Sequence, residues 1–344
     1  KLISMKKNQW LIVFALSALT ILPSYAQFGS IDQLLKGSKA DANYLAQGYL
    51  TPAMNTFGTG LNQGWYNTAA NHKKFGVDLT VSVSSISSPG SDDNYFVDNN
   101  KLQNLRVADQ GSPVGAPTFT KGGANAPTLF GSDAVTPRYY FKADPTNSTF
   151  VDGPTGSNVK KNIPLGGIPV PMINLGIGIP GNTDLRFRYA ATNSSGTNVS
   201  LWGVGVLHDV KQHIPGIKML PFDLSAFVGY TSFKAETTFG PGQTGIADFT
   251  ATTIQGLVSK KFAVLTLYGA AGYNIANGSF KAKGTFDSGA PGVTLVDPVS
   301  ISSSTSGARF TAGMRLKLAV FTFHGDYTFQ KYNTLTVGFG ISVR

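Results

Sequence analysis

The C-terminal stretch 307–344 alternates between apolar and polar side chains in three consecutive runs, and this alternation restricts the fold more than any other feature. Apolar or small residues occupy every second position from 310 to 318, from 321 to 329 and from 335 to 343. A period of two is that of a β-strand with one apolar face. Turns of a few residues join the runs, so the sequence predicts an antiparallel meander. A soluble sandwich and a membrane barrel both fit this pattern.

The N-terminus has the three parts of an export signal. Residues 1–26 contain a basic start, the apolar run 10–22, and small residues at Ser24 and Ala26 ahead of a predicted cleavage site. Residues 1–4 precede the predicted start methionine and are interpreted as translated upstream sequence. We therefore predict an exported protein. An N-terminal membrane anchor is the less favoured alternative, because the apolar run is shorter than the ~20 residues of a spanning helix.

The composition narrows the class of protein further. Glycine accounts for 40 of the 344 residues, only 13% of the residues are charged, and cysteine is absent. No segment reaches the ~18–20 consecutive apolar residues of a spanning helix. Export and repeated alternating strands together predict an all-β, antiparallel transmembrane barrel in the bacterial outer membrane, because only a closed sheet pairs all its backbone groups in lipid.

The same composition argues against several other classes. Without cysteine the chain is neither a lipoprotein nor a disulfide scaffold. The net charge of the chain is +10. Its Lys and Arg residues are scattered along the sequence and form no basic patch, so no nucleic-acid partner is predicted. Four histidines without HxH or HxxxH spacing predict no metal site, and no cofactor is predicted. The expected partners are outer-membrane lipid and, during biogenesis, the barrel-assembly machinery. The run 335–343 resembles the terminal strand that this machinery recognises, although Arg344 replaces the usual final aromatic residue.

Ten strands are clear from alternation alone, and an even number agrees with a bacterial barrel. The long, weakly periodic stretch 87–165 is predicted as an outside loop within the barrel domain 74–344. One further hairpin in it, at 136–143 and 149–152, would raise the total to twelve. The ten predicted strands cover residues 75–84, 170–179, 184–189, 198–211, 222–236, 246–260, 262–283, 299–317, 321–330 and 334–343.

The segment 27–73 precedes the strands and does not alternate. Helical patterns predict short helices, the second of them ending at Pro52. The segment is either a plug inside the barrel or a periplasmic cuff. We favour the plug, because the run 55–66 is rich in glycine and aromatic residues and suits close packing inside a wall. The plug candidates are Phe57, Leu61, Trp65 and Tyr66.

The polar face of each strand is predicted to line the lumen, with the apolar face towards lipid. Asp326 is expected diagonally opposite Arg309. Leu201, Gly203 and Gly205 share the inner face of one strand, which favours a barrel packed around a plug or handling an amphipathic ligand over a water-filled porin. The lumen and ligand candidates are Arg186, Arg188, Arg309, Arg315, His324 and Asp326. Girdles at the membrane interfaces are predicted from Trp202, Tyr230, Tyr268, Tyr273, Tyr327 and Tyr332.

Three stretches carry a resemblance to a known family. Residues 58–69 read GTGLNQGWYNTA, residues 203–212 read GVGVLHDVKQ, and residues 220–224 read LPFDL. They resemble an uncharacterised outer-membrane barrel family of Bacteroidota, which implies no particular activity. More distantly, an N-terminal plug followed by a barrel resembles the long-chain fatty-acid transporters. That resemblance implies passage of hydrophobic molecules past a plug and keeps up to fourteen strands open.

Our leading hypothesis is a monomeric barrel that passively transports or binds a hydrophobic or amphipathic small molecule. The alternative is a structural or interaction barrel in a secretion or surface-assembly complex. A hydrolase is less favoured. His324 and Asp326 share a strand face, but the hydroxyl groups predicted near them are ordinary lumen residues. We therefore predict no catalytic residue.

Overall fold

The computed structural model describes residues 31–194, 196–288 and 292–343. The export signal predicted for residues 1–26 lies outside these ranges. Three α-helices are described: α1 (Ile31–Leu34), α2 (Lys39–Gly60) and α3 (Val159–Asn162). Among the described residues, no helix is both long and apolar enough to cross a membrane.

Seventeen strands make up most of the described chain. In chain order they are β1 (Val77–Ile86), β2 (Asn94–Asp98), β3 (Leu105–Val107), β4 (Gly123–Pro127), β5 (Arg138–Phe141), β6 (Phe150–Asp152), β7 (Ile168–Ile179), β8 (Thr183–Ser194), β9 (Thr197–Asp209), β10 (Asp223–Gly240), β11 (Gln243–Phe262), β12 (Leu265–Lys283), β13 (Thr285–Asp287), β14 (Thr294–Val296), β15 (Val299–Leu318), β16 (Phe321–Phe329) and β17 (Thr334–Val343). Short 3-10 helices lie at Gly90–Asp92, Pro164–Gly166 and Lys211–His213.

Ten of these strands form a closed antiparallel barrel. Their order around the wall is β1-β17-β16-β15-β12-β11-β10-β9-β8-β7. The circle closes because β1 pairs with both β17 and β7, so that Val77 lies opposite Val343 on one side and Ile177 on the other. The ten strands predicted from alternation are confirmed. A wall of twelve is wrong, since β5 and β6 form a hairpin but pair with β3 in a separate sheet. With three or four residues each, they are shorter than the ~9–11 residues that cross a bilayer.

The wall is apolar on its outer face and polar on its inner face. In β17, Val337 and Val343 are half-exposed, whereas Thr336 and Ser342 are buried. The outward sets of β15 from residue 308 onwards and of β16 are likewise apolar or small. This arrangement is that of an outer-membrane barrel, whose outer surface meets lipid.

The barrel is taller on one side. Strands β10, β11, β12 and β15 have 18 to 20 residues, whereas β1, β16 and β17 have 9 or 10. The shorter strands match the thickness of a bilayer, so the longer ones extend beyond it. The extension stands at the end of the barrel that carries the long connection 87–167, which we call the cap. The cap holds β2 to β6 in two small sheets.

Helix α2 begins at a capping box. The Asp41 amide donates to the Ser38 hydroxyl, and the Ser38 amide donates to the Asp41 carboxylate, at 3.1 Å each. The predicted end at Pro52 is wrong, because the helix continues to Gly60 with Pro52 inside it. The hydroxyl of Thr56 donates to the Pro52 carbonyl at 2.8 Å, and packing on the barrel compensates for the missing proline amide. We call residues 39–72, which comprise α2 and most of the connection from α2 to β1, the inner segment.

Candidate functional site in the barrel lumen

The inner segment passes through the barrel from the cap end to the opposite end. Near the cap end, Gly60 packs against the side chains of Ile86 and Val170. At the opposite end, His72 lies against Gly178, where an added Cβ would meet the His72 side chain at 2.8 Å. The lumen is therefore filled along its length by the protein's own chain.

Arg188 joins the wall to the inner segment through hydrogen bonds and through the face of its guanidinium. Its Nη1 donates to the Leu61 carbonyl at 2.8 Å, and its Nη2 donates to the Gln63 carbonyl. Its guanidinium carbon lies 3.5 Å from the centre of the Trp65 ring, in cation–π contact. Its Nε donates to the Asn174 side chain at 2.5 Å. A single buried arginine thus binds two backbone carbonyls and one aromatic ring.

Arg309 holds the same stretch from the other side of the barrel. Its Nη1 donates to the Asn62 carbonyl at 3.1 Å, and its Nη2 donates to Gln63 Oε1 at 2.8 Å. The same Nη2 lies within 3.2 Å of the hydroxyls of Thr311 and Thr328 on the wall. Each of these acceptors is a neutral oxygen.

Arg186 differs in having acidic neighbours. Its Nη2 lies 3.3 Å from Asp184, and its Nη1 lies 4.0 Å from Asp78. It also donates to the Trp65 carbonyl at 2.9 Å. Arg186 is therefore an ion-pair partner in the wall as well as a contact of the inner segment.

Trp65 occupies a niche formed by three glycines of neighbouring strands. A Cβ at Gly203, Gly205 or Gly229 would approach the indole to 3.2, 3.2 and 2.8 Å. The indole is 1% exposed and lies 5.5 Å, centre to centre, from the Phe227 ring. A Cβ at Gly229 would collide with the indole, and one at Gly203 or Gly205 would crowd it.

The other plug candidates also contact the wall. The Tyr66 hydroxyl bonds to Gln255, and its ring lies edge-on to Phe227 at 5.8 Å. Phe57 packs on the rings of Phe233 and Phe249 at 4.8 and 5.0 Å. Leu61 is fully buried.

Asp326, His324 and Arg315 face inwards nearer the opposite end, with a register different from the predicted one. Asp326 lies opposite Gly313 and accepts a 2.8 Å hydrogen bond from Tyr268, so the diagonal pairing with Arg309 is wrong. His324 lies opposite Arg315, with its ring over Gly338. The shift follows from the tight turn at Ala319, whose φ of 54° places the turn beyond Leu318.

Two predicted girdle residues lie elsewhere. Tyr268 is buried in the lumen and Tyr332 is buried at the cap end, where its hydroxyl donates to Asp92 at 2.9 Å. Trp202 and Tyr273 are half-exposed on the outer face, as expected of girdle residues. Tyr268 lies on the inward-facing set of β12, and Tyr332 lies in the turn between β16 and β17, where alternation does not apply.

His72 and Asp184 form a contact that was not predicted. His72 Nδ1 lies 2.8 Å from Asp184 Oδ2, and the His72 amide donates to Oδ1 at 2.9 Å. His72 Nε2 lies 3.4 Å from the Ser342 hydroxyl. These are the groups of a serine-hydrolase triad, but Ser342 is 1% exposed, so the arrangement anchors the end of the inner segment. The order of the strands could have indicated this pair. His72 precedes β1 and Asp184 lies near the start of β8, and both strands begin at the same end of the barrel.

Among the described residues no cluster of three or more His, Asp or Glu side chains could hold a metal ion. The sequence matches a family of unknown function, DUF6588, over residues 5–343. The chain belongs to DUF6588. None of the curated proteins matches it.

Solved structures similar to this DUF6588 protein are bacterial outer-membrane proteins. The translocator domain of the autotransporter NalP from Neisseria meningitidis is 11% identical, with a TM-score of 0.31 and coverage of 87% of this chain and 94% of that one. Ail, the attachment invasion locus protein of Yersinia pestis, is 8% identical, with a TM-score of 0.27 and coverage of 79% and 99%. A loop-deletion mutant of OmpT from Vibrio cholerae is 12% identical, with a TM-score of 0.24 and the same coverages.

The charges in the lumen of this DUF6588 protein are unevenly paired. Within the described residues, the buried ion pairs involve Arg186 and His72 with Asp184 and Asp78. The partners of Arg188 and Arg309 are neutral oxygens. A buried guanidinium bound only to neutral oxygens retains a strong preference for an anion.

Proposed function

We propose that this DUF6588 protein binds or passively conducts an amphipathic small molecule with an anionic head, and that the inner segment controls access. The observation that carries this proposal is the pair of buried arginines, Arg188 and Arg309, whose hydrogen-bond acceptors are all neutral oxygens. A carboxylate, sulfate or phosphate could accept bidentate hydrogen bonds from either guanidinium in place of the carbonyls of Leu61 and Asn62. The anionic head of the proposed ligand would therefore compete with the carbonyls of the inner segment for the guanidinium N–H groups of Arg188 and Arg309.

An apolar cluster beside the arginines would accept the tail of such a ligand. It is buried and extends from the wall to the inner segment. Its members are Trp65, Tyr66, Ala69, Leu207, Phe227, Leu257 and Tyr268. Because the cluster and the arginines are both covered by the inner segment, the ligand would reach them only after that segment moves.

The setting of the barrel supports the same proposal. An apolar outer face and a closed wall suit the outer membrane, where a hydrophobic molecule must cross a polar surface layer. A plug followed by a barrel resembles the long-chain fatty-acid transporters, and the sequence resembles outer-membrane barrels of Bacteroidota. We propose a monomer that acts by passive exchange.

A reversible lock on α2 tests the proposal. A Cβ at Gly58 would lie 3.0 Å from the Cβ of Ala276 on β12. A disulfide needs about 3.5–4.5 Å, which a shift of about 0.5 Å provides. The chain has no cysteine, so Gly58→Cys with Ala276→Cys introduces the only possible disulfide. The probe is a fluorescent alkyl sulfonate, whose permanent charge slows its unassisted crossing of lipid.

We expect proteoliposomes of the oxidised double variant to take up the sulfonate at the rate of protein-free vesicles. Reduction should restore wild-type uptake, and each single variant should behave like the wild type in both redox states. Equal uptake by the oxidised and reduced double variant would contradict control by the inner segment. Wild-type uptake no faster than that of protein-free vesicles would contradict transport itself.

The cap favours a second candidate function, that of a structural or interaction barrel. It has two sheets of its own, and Phe96 and Val114 are exposed on it. A single partner recovered in stoichiometric amount from outer-membrane extracts by the wild type, and lost when residues 88–166 are replaced by a short turn, would support this function. Equal recovery by both proteins would contradict it.

A further inference from the structure

Two histidines point their Nε2 atoms at each other at the end of the barrel opposite the cap. His208 lies near the end of β9, and His213 ends the 3-10 helix that follows. Their Nε2 atoms are 3.0 Å apart, and their ring centres are 5.2 Å apart with an interplanar angle of 25°, so the rings meet end to end. His213 is exposed and His208 is partly exposed.

The spacing of the two nitrogens is close to that of two ligands of one metal ion. Nitrogens bound 2.0–2.1 Å from a tetrahedral zinc are about 3.3–3.4 Å apart. A movement of about 0.3 Å of exposed rings would bring His208 and His213 to that separation. A spacing of five residues is not that of a helix face or a strand face. The two histidines come together because β9 ends at Asp209 and the 3-10 helix that follows turns the chain back.

His208 also has the outer contact expected of a metal ligand. Its Nδ1 lies 2.8 Å from the hydroxyl of Thr183, on the neighbouring strand β8. A ring that donates its Nδ1–H to an oxygen keeps the Nε2 lone pair free for a metal, and ligand histidines almost always have such a partner.

The turn that carries the pair is held in place without a metal. The Asp209 carboxylate accepts from the Lys211 amide at 2.9 Å, and the His213 amide donates to the Val210 carbonyl at 3.1 Å. The Gln212 side chain donates to the carbonyls of Asp209 and Gly181 at 2.9 and 3.2 Å. The two rings are therefore positioned before any ion binds, which reduces the entropy lost on binding.

We propose that His208 and His213 bind one divalent transition-metal ion, such as Zn²⁺, with water completing the coordination. Imidazole suits zinc, copper and nickel, and not the oxygen-preferring magnesium or calcium. In the absence of a metal, the Nε2–H of one ring can donate to the Nε2 of the other. When the ion binds, the donor ring passes that proton through solvent to its own Nδ1, so that both Nε2 lone pairs are available to the ion. This site is independent of the lumen and of the function proposed for it.

Titration of the full chain in detergent with Zn²⁺ alone tests the site. We expect wild-type protein to bind one zinc ion. His208→Ala and His213→Ala should each lose the binding, and Thr183→Val should weaken it about tenfold or more by removing the partner of Nδ1. Lys218→Gln, a change at an exposed residue of the connection that follows His213, removes no imidazole. It is the matched control and should bind like the wild type.

Folding of every variant is checked by the heat-dependent electrophoretic mobility of the barrel. Three results would overturn the proposal. They are no saturable binding by the wild type at up to about 1 mM zinc, wild-type binding by both folded histidine variants, and loss of binding by Lys218→Gln equal to that of His213→Ala.

Discussion

The position of the inner segment depends on glycines, which leave space for its side chains, as much as on the side chains that contact it. The Trp65 indole fits because Gly203, Gly205 and Gly229 leave room for it, while Arg188 covers its other face. The sequence indicated close approach at Gly203 and Gly205 from their place on the inner face of a strand. It did not indicate which group approaches, because that depends on the path of a segment without periodicity.

The niche leads to a prediction with a matched control. Gly229→Ala would place a Cβ 2.8 Å from the Trp65 ring and 2.9 Å from the Phe227 ring, so that at least one of these buried rings must shift. We expect the free energy of unfolding to fall by about 1–3 kcal/mol, as for other overpacked cores. Gly256→Ala adds the same methyl group to β11 where nothing lies within 4 Å, and should be nearly neutral.

Denaturant unfolding of the two variants in detergent, followed by tryptophan fluorescence, measures this difference. Gly229→Ala should also shift the emission of native Trp65, because the indole must move. Equal stability of Gly229→Ala and Gly256→Ala would contradict the close packing at the niche.

At the scale of elements, alternation predicted the wall strands well and the remainder poorly. The wall strands were visible because each has one face in lipid, and a period of two then extends over many residues. The extension of β10, β11, β12 and β15 lacks that contrast, since polar residues such as those at 302–306 occur on both faces. Helix α2 passes Pro52 because tertiary packing outweighs the local penalty, which no local pattern reveals.

In the cap, one carboxylate organises the loop that follows β3. Asp109 accepts hydrogen bonds from the Thr118 and Thr120 hydroxyls at 2.8 Å each, and from the Thr120 and Lys121 amides at 2.9 and 3.2 Å. Burial by itself would raise the pKa of Asp109, but these hydrogen bonds, those of Thr120 and Thr118 foremost, outweigh it and lower the pKa from 3.8 to about 2.

The lowered pKa gives this loop a predictable dependence on pH. Because the folded pKa lies below the unfolded one, the ionised carboxylate stabilises the loop fully above about pH 4. We expect that stabilisation to be lost as the pH falls from about 4 through about 2. Pepsin cleavage at Phe119 should therefore accelerate across this range, relative to cleavage of the unfolded chain.

Asp109→Asn should show at pH 4 the cleavage rate that the wild type reaches only near pH 2. Asp287→Asn, a change at an exposed carboxylate outside the cap, is the control and should follow the wild type. An Asp109→Asn variant cleaved like the wild type throughout would show that the carboxylate does not hold the loop.

At the scale of the whole molecule, the cap is a single insertion between two adjacent wall strands, β1 and β7. Ile86 and Ile168, which flank the cap, are direct partners in the pairing of β1 with β7. Replacing residues 88–166 by Asn-Gly should therefore leave the wall closed, because a two-residue turn suits adjacent antiparallel strands. We expect a folded, heat-modifiable band and the far-ultraviolet spectrum of a barrel.

The same deletion should loosen the outer half of α2. That half loses the hydrogen bond from Tyr49 to the Thr155 carbonyl and those from Gln103 and Asn104 to Asp41. Limited proteolysis should then cut between residues 39 and 50 while leaving the wall intact. Failure to obtain any folded band would mean that the cap is required for closure of the barrel.

The closing pair of strands also determines the order in which this protein can be assembled. The wall closes by joining β1 to β17, which are the first and the last wall strands in chain order. The residues that fill the lumen precede them all. Contacts such as those of Arg309 with Asn62 and Gln63 join parts of the chain far apart in sequence, and such contacts form slowly. The aromatic, glycine-rich inner segment must therefore be kept from associating elsewhere until the last wall strand is available to pair.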